Sequence, residues 1–188
     1  MHIKNEEYIR TFVCVCPTPE SSLEISNFVV SLRRFDGFRW ATPEQIHITL
    51  RFLGEAEPSL VQKMDTALSG IGGMRSFKIA LGETGGFPNI SCPKALWLGV
   101  SEGGAELAKL AAKVERAARL ADFAPERRKF KAHLTIARAR RDDAMSDDLA
   151  RELQRAPSPS WECSSFVLMK SDLTPEGAVY TPLREYPL

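Results

Sequence analysis

The sequence predicts an α+β fold of two lobes related by a pseudo-two-fold axis, with two antiparallel sheets lining a central cleft and helices on the outside. Three observations carry that expectation. Short alternating apolar runs interleave with amphipathic runs of period 3.6, and Gly and Pro punctuate them. The order of elements contains one unit twice: helix, polar-faced strand, helix, strand, strand, over roughly 22–100 and again over roughly 105–186. No low-complexity segment or flexible linker separates the copies, so residues 1–188 are read as a single bilobal domain.

Each element has its own signal. Tyr8 to Cys14 reads as a first strand, with Ile9, Phe12 and Val13 apolar. Ser21-x-x-Glu24 has the form of a capping box, and behind it Ile25, Phe28, Val29 and Leu32 form a helical apolar stripe. Trp40 to Glu44 reads as a proline-containing loop before the strand Ile46–Phe52. Pro58 and Ser59 open a helix through Val61, Met64 and Leu68, which ends in the cluster Gly70, Gly72, Gly73. Phe77–Leu81 and Ala95–Val100 read as strands joined by a loop rich in Gly and Pro from Gly82 to Pro93. Leu107, Leu110, Ala111, Val114 and Ala118 mark a third helix, and a polar helix follows near Met145–Gln154. Phe166–Met169 and Val179–Tyr186 close the chain as strands, the last demoted to a sheet edge by Pro182.

Composition excludes several function classes. Lys plus Arg is 25 and Asp plus Glu is 24, a net charge of +1, so the whole chain exerts no strong pull on polyanions. No apolar run has membrane-spanning length, and the opening MHIKNEEYIR has no signal-peptide apolar core. Cys14, Cys16, Cys92 and Cys163 form neither a C-x-x-C pair nor a zinc-type spacing, and read as reduced, buried thiols of a cytoplasmic protein. There is no G-x-x-x-x-G-K-[ST] loop and no G-x-G-x-x-G after a strand, so no nucleotide cofactor is expected.

The chemistry lies in two strands. In IHITLRF, residues 46–52, Ile46, Ile48, Leu50 and Phe52 alternate with His47, Thr49 and Arg51. In KAHLTIAR, residues 131–138, Ala132, Leu134 and Ile136 take the apolar face, while His133, Thr135 and Ala137 take the other. Two of the three histidines thus sit in His-x-Thr on a polar strand face, 86 residues apart, and the threonines keep the same interval. His2, near the N-terminus, is outside this pattern. A single His-x-Thr is weak evidence; two at equivalent places of a repeated unit are not. Two imidazoles do not complete a zinc site and threonine is a poor ligand for such metals, so no metal is expected. Residues i and i+2 stand about 7 Å apart on a strand, so a ring nitrogen and a hydroxyl can both reach one phosphate-sized group. Opening a cyclic phosphodiester in line needs a base on the water and an acid on the departing oxygen, a pair that two imidazoles can supply near neutral pH.

These segments resemble the two-histidine phosphoesterases, and within them the RNA 2′,3′-cyclic phosphodiesterases, also called 2′-5′ RNA ligases. RWATPEQIHITLRFLGE (39–55) and FKAHLTIAR (130–138) are similar to the paired signatures, and YIRTFVCV, ALWLGV and VLMKSDLTPEGAVYTPL to other segments. Ala132, before the second histidine, departs from the proline often found there. The resemblance implies hydrolysis of an RNA 2′,3′-cyclic phosphate to a 2′-phosphomonoester, with His47 as proton donor, His133 as proton acceptor, and Thr49 and Thr135 on the phosphate. The same chemistry, with a 5′-hydroxyl in place of water, joins RNA ends. Expected partners are RNA carrying such an end, tRNA fragments among them, or a small nucleotide cyclic phosphate; no membrane is expected, and the chain is read as a monomer. Arg51, Arg138 and, at lower weight, Arg10 are the candidates for further substrate contacts, against a plain reading as salt bridges or solvated surface. Arg127, Arg128, Lys129 and Lys131 extend the basic stretch, and Trp40 and Phe87 are candidates for stacking on a base.

Overall fold

A strand buried on one face by helices needs an apolar row on that face alone, and each helix needs one apolar stripe. The computed structural model, which describes residues 8–141, 144–175 and 177–188, shows both patterns meeting in one core. His2 lies outside the described residues. The order is β1 (Ile9–Val15), α1 (Pro19–Leu32), β2 (Phe38–Trp40), a 3-10 turn (Pro43–Gln45), β3 (Ile48–Ala56), α2 (Pro58–Ser69), β4 (Phe77–Phe87) and β5 (Ala95–Glu102). Then come α3 (Gly104–Leu120), β6 (His133–Ala139), α4 (Asp147–Leu153), β7 (Ser160–Cys163), β8 (Ser165–Thr174) and β9 (Gly177–Pro187).

The α+β architecture is the expected one, and the pairings between the described strands are antiparallel. The strands run in the order β7-β4-β5-β6-β3-β1-β8-β9, with β2 attached to β6. Where two sheets were expected, one bridging pair, Ile48 opposite Leu134, joins β3 to β6 and makes them a single curled sheet. β4 and β5 follow the first histidine strand in the chain yet lie on the β6 side of this bridge, while β8 and β9 return to the β1 side. The helices contribute Ile25, Val29 and Leu32 from α1, Val61, Met64 and Leu68 from α2, Leu107, Leu110 and Val114 from α3, and Leu149 and Leu153 from α4. These pack with Val13, Ile48, Leu96, Leu98, Leu134 and Ile136 of the sheet in one cluster. Each such side chain contributes about 1.5–3 kcal/mol on burial.

Several boundaries differ from expectation for local reasons. α1 starts before Ser21: the Ser21 N–H donates to the Thr18 hydroxyl at 3.4 Å, and Pro19 fills the first helical position, where no N–H is needed. The glycines read as a loop after Leu81 belong to β4. A Cβ on Gly85 would stand 2.1 Å from Cζ2 of Trp97, so the bare backbone lets the indole of the neighbouring strand lie across it. β2 and β7, of 3 and 4 residues, are too short to show a period of two. β9 is the edge strand that Pro182 suggested. Of the cysteines expected to be buried, Cys14 and Cys163 are, but Cys16, just past the end of β1, is exposed.

Leu134 is fully buried at the bridge between the two halves. Leu134→Ala is expected to cost about 2–5 kcal/mol in urea unfolding, from lost apolar contact plus the cavity left.

Candidate active site

His47 and His133 come to the same face of the sheet through the bridge. Ile48 and Leu134 oppose each other with their side chains in the core, so the residues flanking them project from the other face. Antiparallel register then sets the flanking residues crosswise, with His47 beside Thr135 and Thr49 beside His133. The four side chains form a quadrilateral about 7 Å along each strand and about 5 Å across.

Each ring is held by its neighbours. Nε2 of His47 shares a hydrogen bond with the Thr49 hydroxyl at 3.0 Å. The ring stacks on Phe12 with centroids 4.8 Å apart and meets Tyr180 edge-on at 5.3 Å. Nδ1–H of His133 donates to the carbonyl of Lys131 at 2.7 Å, and Phe87 meets that ring edge-on at 4.9 Å. The 3-10 turn fixes the approach to His47: the Thr42 N–H donates to Oε1 of Gln45 at 3.2 Å, and Nε2 of Gln45 donates to the Ala178 carbonyl at 2.7 Å. This last bond ties the turn to β9, which carries Tyr180.

The electrostatics favour neutral rings in the free protein. Burial is the main cause that pushes His47 down to about 4, and the charges of Arg138 and His133 add to it against a favourable backbone bond at Gln45. His133 is lowered as well, first by burial and then by Lys131 and Arg138, against its bond to the Lys131 backbone. Arg138 thus acts on both histidines, and it also opposes the upward push of burial on Tyr180. Among the described residues no group of three or more His, Cys, Asp or Glu converges to hold a metal ion.

Two β-bulges decide which arginine joins these groups. Val13 opposes Arg51 but Cys14 opposes Thr49, so Leu50 is an extra residue in β3. Trp97 opposes Thr135 but Leu96 opposes Ala137, so Ile136 is extra in β6. Both bulges fall three residues after the histidine, and beyond each the alternation is inverted. Arg51, expected on the histidine face, is therefore on the face of Val13, under the helices. It is corrected to a structural residue: Nε lies 2.8 Å from Oε2 of Glu115, and its two terminal nitrogens donate to the carbonyls of Ala124 at 2.6 Å and Phe52 at 2.7 Å. By the same inversion Ala137 turns into the core, and Arg138 shares the face of His133 and Thr135.

Arg10 lies on the face of Phe12 and Cys14, where its guanidinium covers the Phe52 ring at 4.4 Å, at the margin of the site. Trp40 is an anchor, its indole N–H donating to the Phe35 carbonyl at 3.2 Å. Arg128 of the basic stretch binds Glu126, whereas the ammonium of Lys131 sits 4.0 Å from the Trp97 ring centre. Phe12, Trp97 and Tyr180 were not singled out from the sequence. Trp97 had a legible signal: in ALWLGV it alternates with Leu96 and Leu98, which face the core.

Comparison with known proteins places this geometry. The fold is that of LigT: the structure of E. coli LigT complexed with 3′-AMP superposes with a TM-score of 0.80 at 22% identity, covering 97% of this chain and 99% of that one. TT0787 of Thermus thermophilus gives a TM-score of 0.77 at 25% identity, covering 95% and 97%. This is therefore a LigT-like α+β protein. A family model described as the 2′-5′ RNA ligase superfamily matches residues 19–175. An RNA 2′,3′-cyclic phosphodiesterase of Archaeoglobus fulgidus is 33% identical over 95% of this chain and 99% of its own length, and one of Aeropyrum pernix is 36% identical over 76% and 81%. The chain belongs to the 2′-5′ RNA ligase superfamily. Among the described residues no helix is long and apolar enough to cross a membrane.

Arg51→Ala removes one of the cations on Glu115, Arg119 remaining, and takes the donors from the Ala124 and Phe52 carbonyls. It is expected to cost about 1–3 kcal/mol in denaturant unfolding, with activity per folded molecule retained. A second expectation concerns His47. Its folded value of about 4 lies below 6.5, so between those values the unfolded chain binds the extra proton, and stability is full above about pH 6.5 and falls as pH drops toward 4. In His47→Asn, about 2 kcal/mol of the stability lost between pH 7 and pH 5 should disappear, as read by urea unfolding at each pH.

Proposed function

We propose that this protein hydrolyses the 2′,3′-cyclic phosphate at an RNA end to a 2′-phosphomonoester by general acid–base catalysis without a metal. The observation that carries this reading is the crosswise placement of two His-x-Thr pairs on one sheet face. The names of the curated relatives, each an RNA 2′,3′-cyclic phosphodiesterase, support the substrate class.

Because Nδ1–H of His133 donates to the Lys131 carbonyl, a neutral ring presents its lone pair at Nε2, the form a base requires. His133 takes a proton from water as the water oxygen bonds to phosphorus. The bond from phosphorus to the 3′ oxygen breaks on the opposite side, and His47 delivers a proton to that oxygen. The ring of His47 must be charged for this step, although burial and cationic neighbours keep it neutral in the free protein. A bound phosphate supplies the missing negative charge and raises the affinity of His47 for its proton. The Thr49 and Thr135 hydroxyls donate to the non-bridging oxygens, and Arg138 faces the charge that builds on them. With a 5′-hydroxyl in place of the attacking water, the same path joins RNA ends: the 5′ oxygen bonds to phosphorus as the 3′ oxygen leaves, giving a 2′-5′ diester.

The test is product analysis on an RNA with a 2′,3′-cyclic phosphate end in the presence of EDTA. A 2′-phosphate product is expected, with kcat lowered about 10²–10⁴-fold in His47→Ala and in His133→Ala while circular dichroism is unchanged. Full turnover by either variant, or a 3′-phosphate product, would reject the assignment.

A further inference from the structure

Two arginines stand directly opposite one another beside the site. In the pairing of β2 with β6, Arg39 opposes Arg138, and both are exposed. Residues paired across strands share a face, so Arg39 projects on the side of Arg138, which is the side of His133 and Thr135. Along β6 the groups run His133, Thr135, Arg138; on the adjoining strands they run Thr49, His47, Arg39. The pair therefore extends the row of histidines and threonines by one step along the sheet, beyond Thr135 and His47.

This arrangement is costly without a ligand. Like charges directly opposite on a sheet repel, and among the described residues no acidic side chain pairs with either guanidinium. The backbone holds them in place regardless: β2 pairs with β6 at three positions, and the Ala41 N–H donates to the Ile136 carbonyl at 2.8 Å. Arg138 shares the face of His133 and Thr135, and its charge disfavours the protonated form of both histidines. Arg39, one strand further from His133 and Thr135, is placed for a second anion.

We infer that Arg39, with Arg138 beside it, binds the phosphate on the 5′ side of the terminal nucleotide, so that the site selects an oligonucleotide end over a nucleoside cyclic phosphate. The inference rests on the phosphodiesterase reading for the identity of the ligand. A planar guanidinium suits a phosphodiester, which offers two non-bridging oxygens to its paired N–H groups.

Equilibrium binding tests it independently of turnover, with three probes: adenosine 2′-phosphate, the same nucleotide carrying a 5′-phosphate, and the dinucleotide ApA with a 2′-phosphate. Calorimetry on the wild type is expected to show both larger probes binding about tenfold more tightly than the first, as one charged contact implies. Arg39→Gln removes that advantage, Arg39→Lys keeps part of it, and Lys109→Gln, at an exposed position of α3, leaves it in place. The dependence of dinucleotide binding on salt becomes shallower by about 0.7 in log–log slope in Arg39→Gln. Equal affinity for all three probes, or an advantage that survives Arg39→Gln, overturns the inference. So does a gain with the dinucleotide and none with the 5′-phosphate, which would assign the effect to the added nucleoside. If Arg39→Gln does not fold, wild-type salt slopes that are equal for the mononucleotide and the dinucleotide overturn it. Failure to hydrolyse an oligonucleotide with a 2′,3′-cyclic phosphate end, by contrast, counts against the phosphodiesterase reading alone.

Discussion

One antiparallel contact governs this molecule. Ile48 and Leu134 are fully buried, and they form the pair through which β3 and β6 join. Because side chains alternate along a strand, burying these two residues forces their four neighbours onto the opposite face. Because the pairing is antiparallel, each histidine then stands beside the other strand's threonine. A slip of one residue would drive imidazoles into the core and expose leucine and isoleucine, so the hydrophobic effect holds the register that the chemistry needs.

Strict alternation would have continued to Arg51, and the sheet interrupts it. The extra residues Leu50 and Ile136 sit at the same distance from their histidines, and each reverses the facing of the residues beyond it. The consequence is asymmetric because the residues there differ. On β3 the inversion turns an arginine inward, where Glu115 and two carbonyls occupy it, and brings Phe52 out beneath Arg10. On β6 it turns Ala137 inward and brings Arg138 out toward the histidines. β3 thereby supplies an aromatic surface and β6 a cation, each just beyond its bulge.

The free site is short of negative charge. Burial disfavours charged imidazole, and Arg138 and Lys131 reinforce that effect. Such a surface gains most from a ligand that carries its own anion, and binding that anion favours the protonated imidazole. In the proposed reaction, the protonation of His47 is thus coupled to occupancy of the site.

The sequence by itself determined the elements with a strong period and which side chains are the candidates for chemistry. The helical stripes of α1 to α3, the existence of α4, the repeated His-x-Thr and the edge placement of β9 were all legible, because periodicity is a local property of the chain. The joining of two sheets into one through Ile48 and Leu134, the exchange of β4 and β5 to the far half, and the extension of β4 across its glycines were not. Gly85 reads as a loop residue until Trp97 of the next strand is laid over it. The parting of Arg51 from Arg138, and the meeting of Arg39 with Arg138, were decided only by tertiary structure. A bulge is a mismatch between two strands, so it has no signature in either strand alone, and the face a residue takes beyond it depends on a partner distant in the chain.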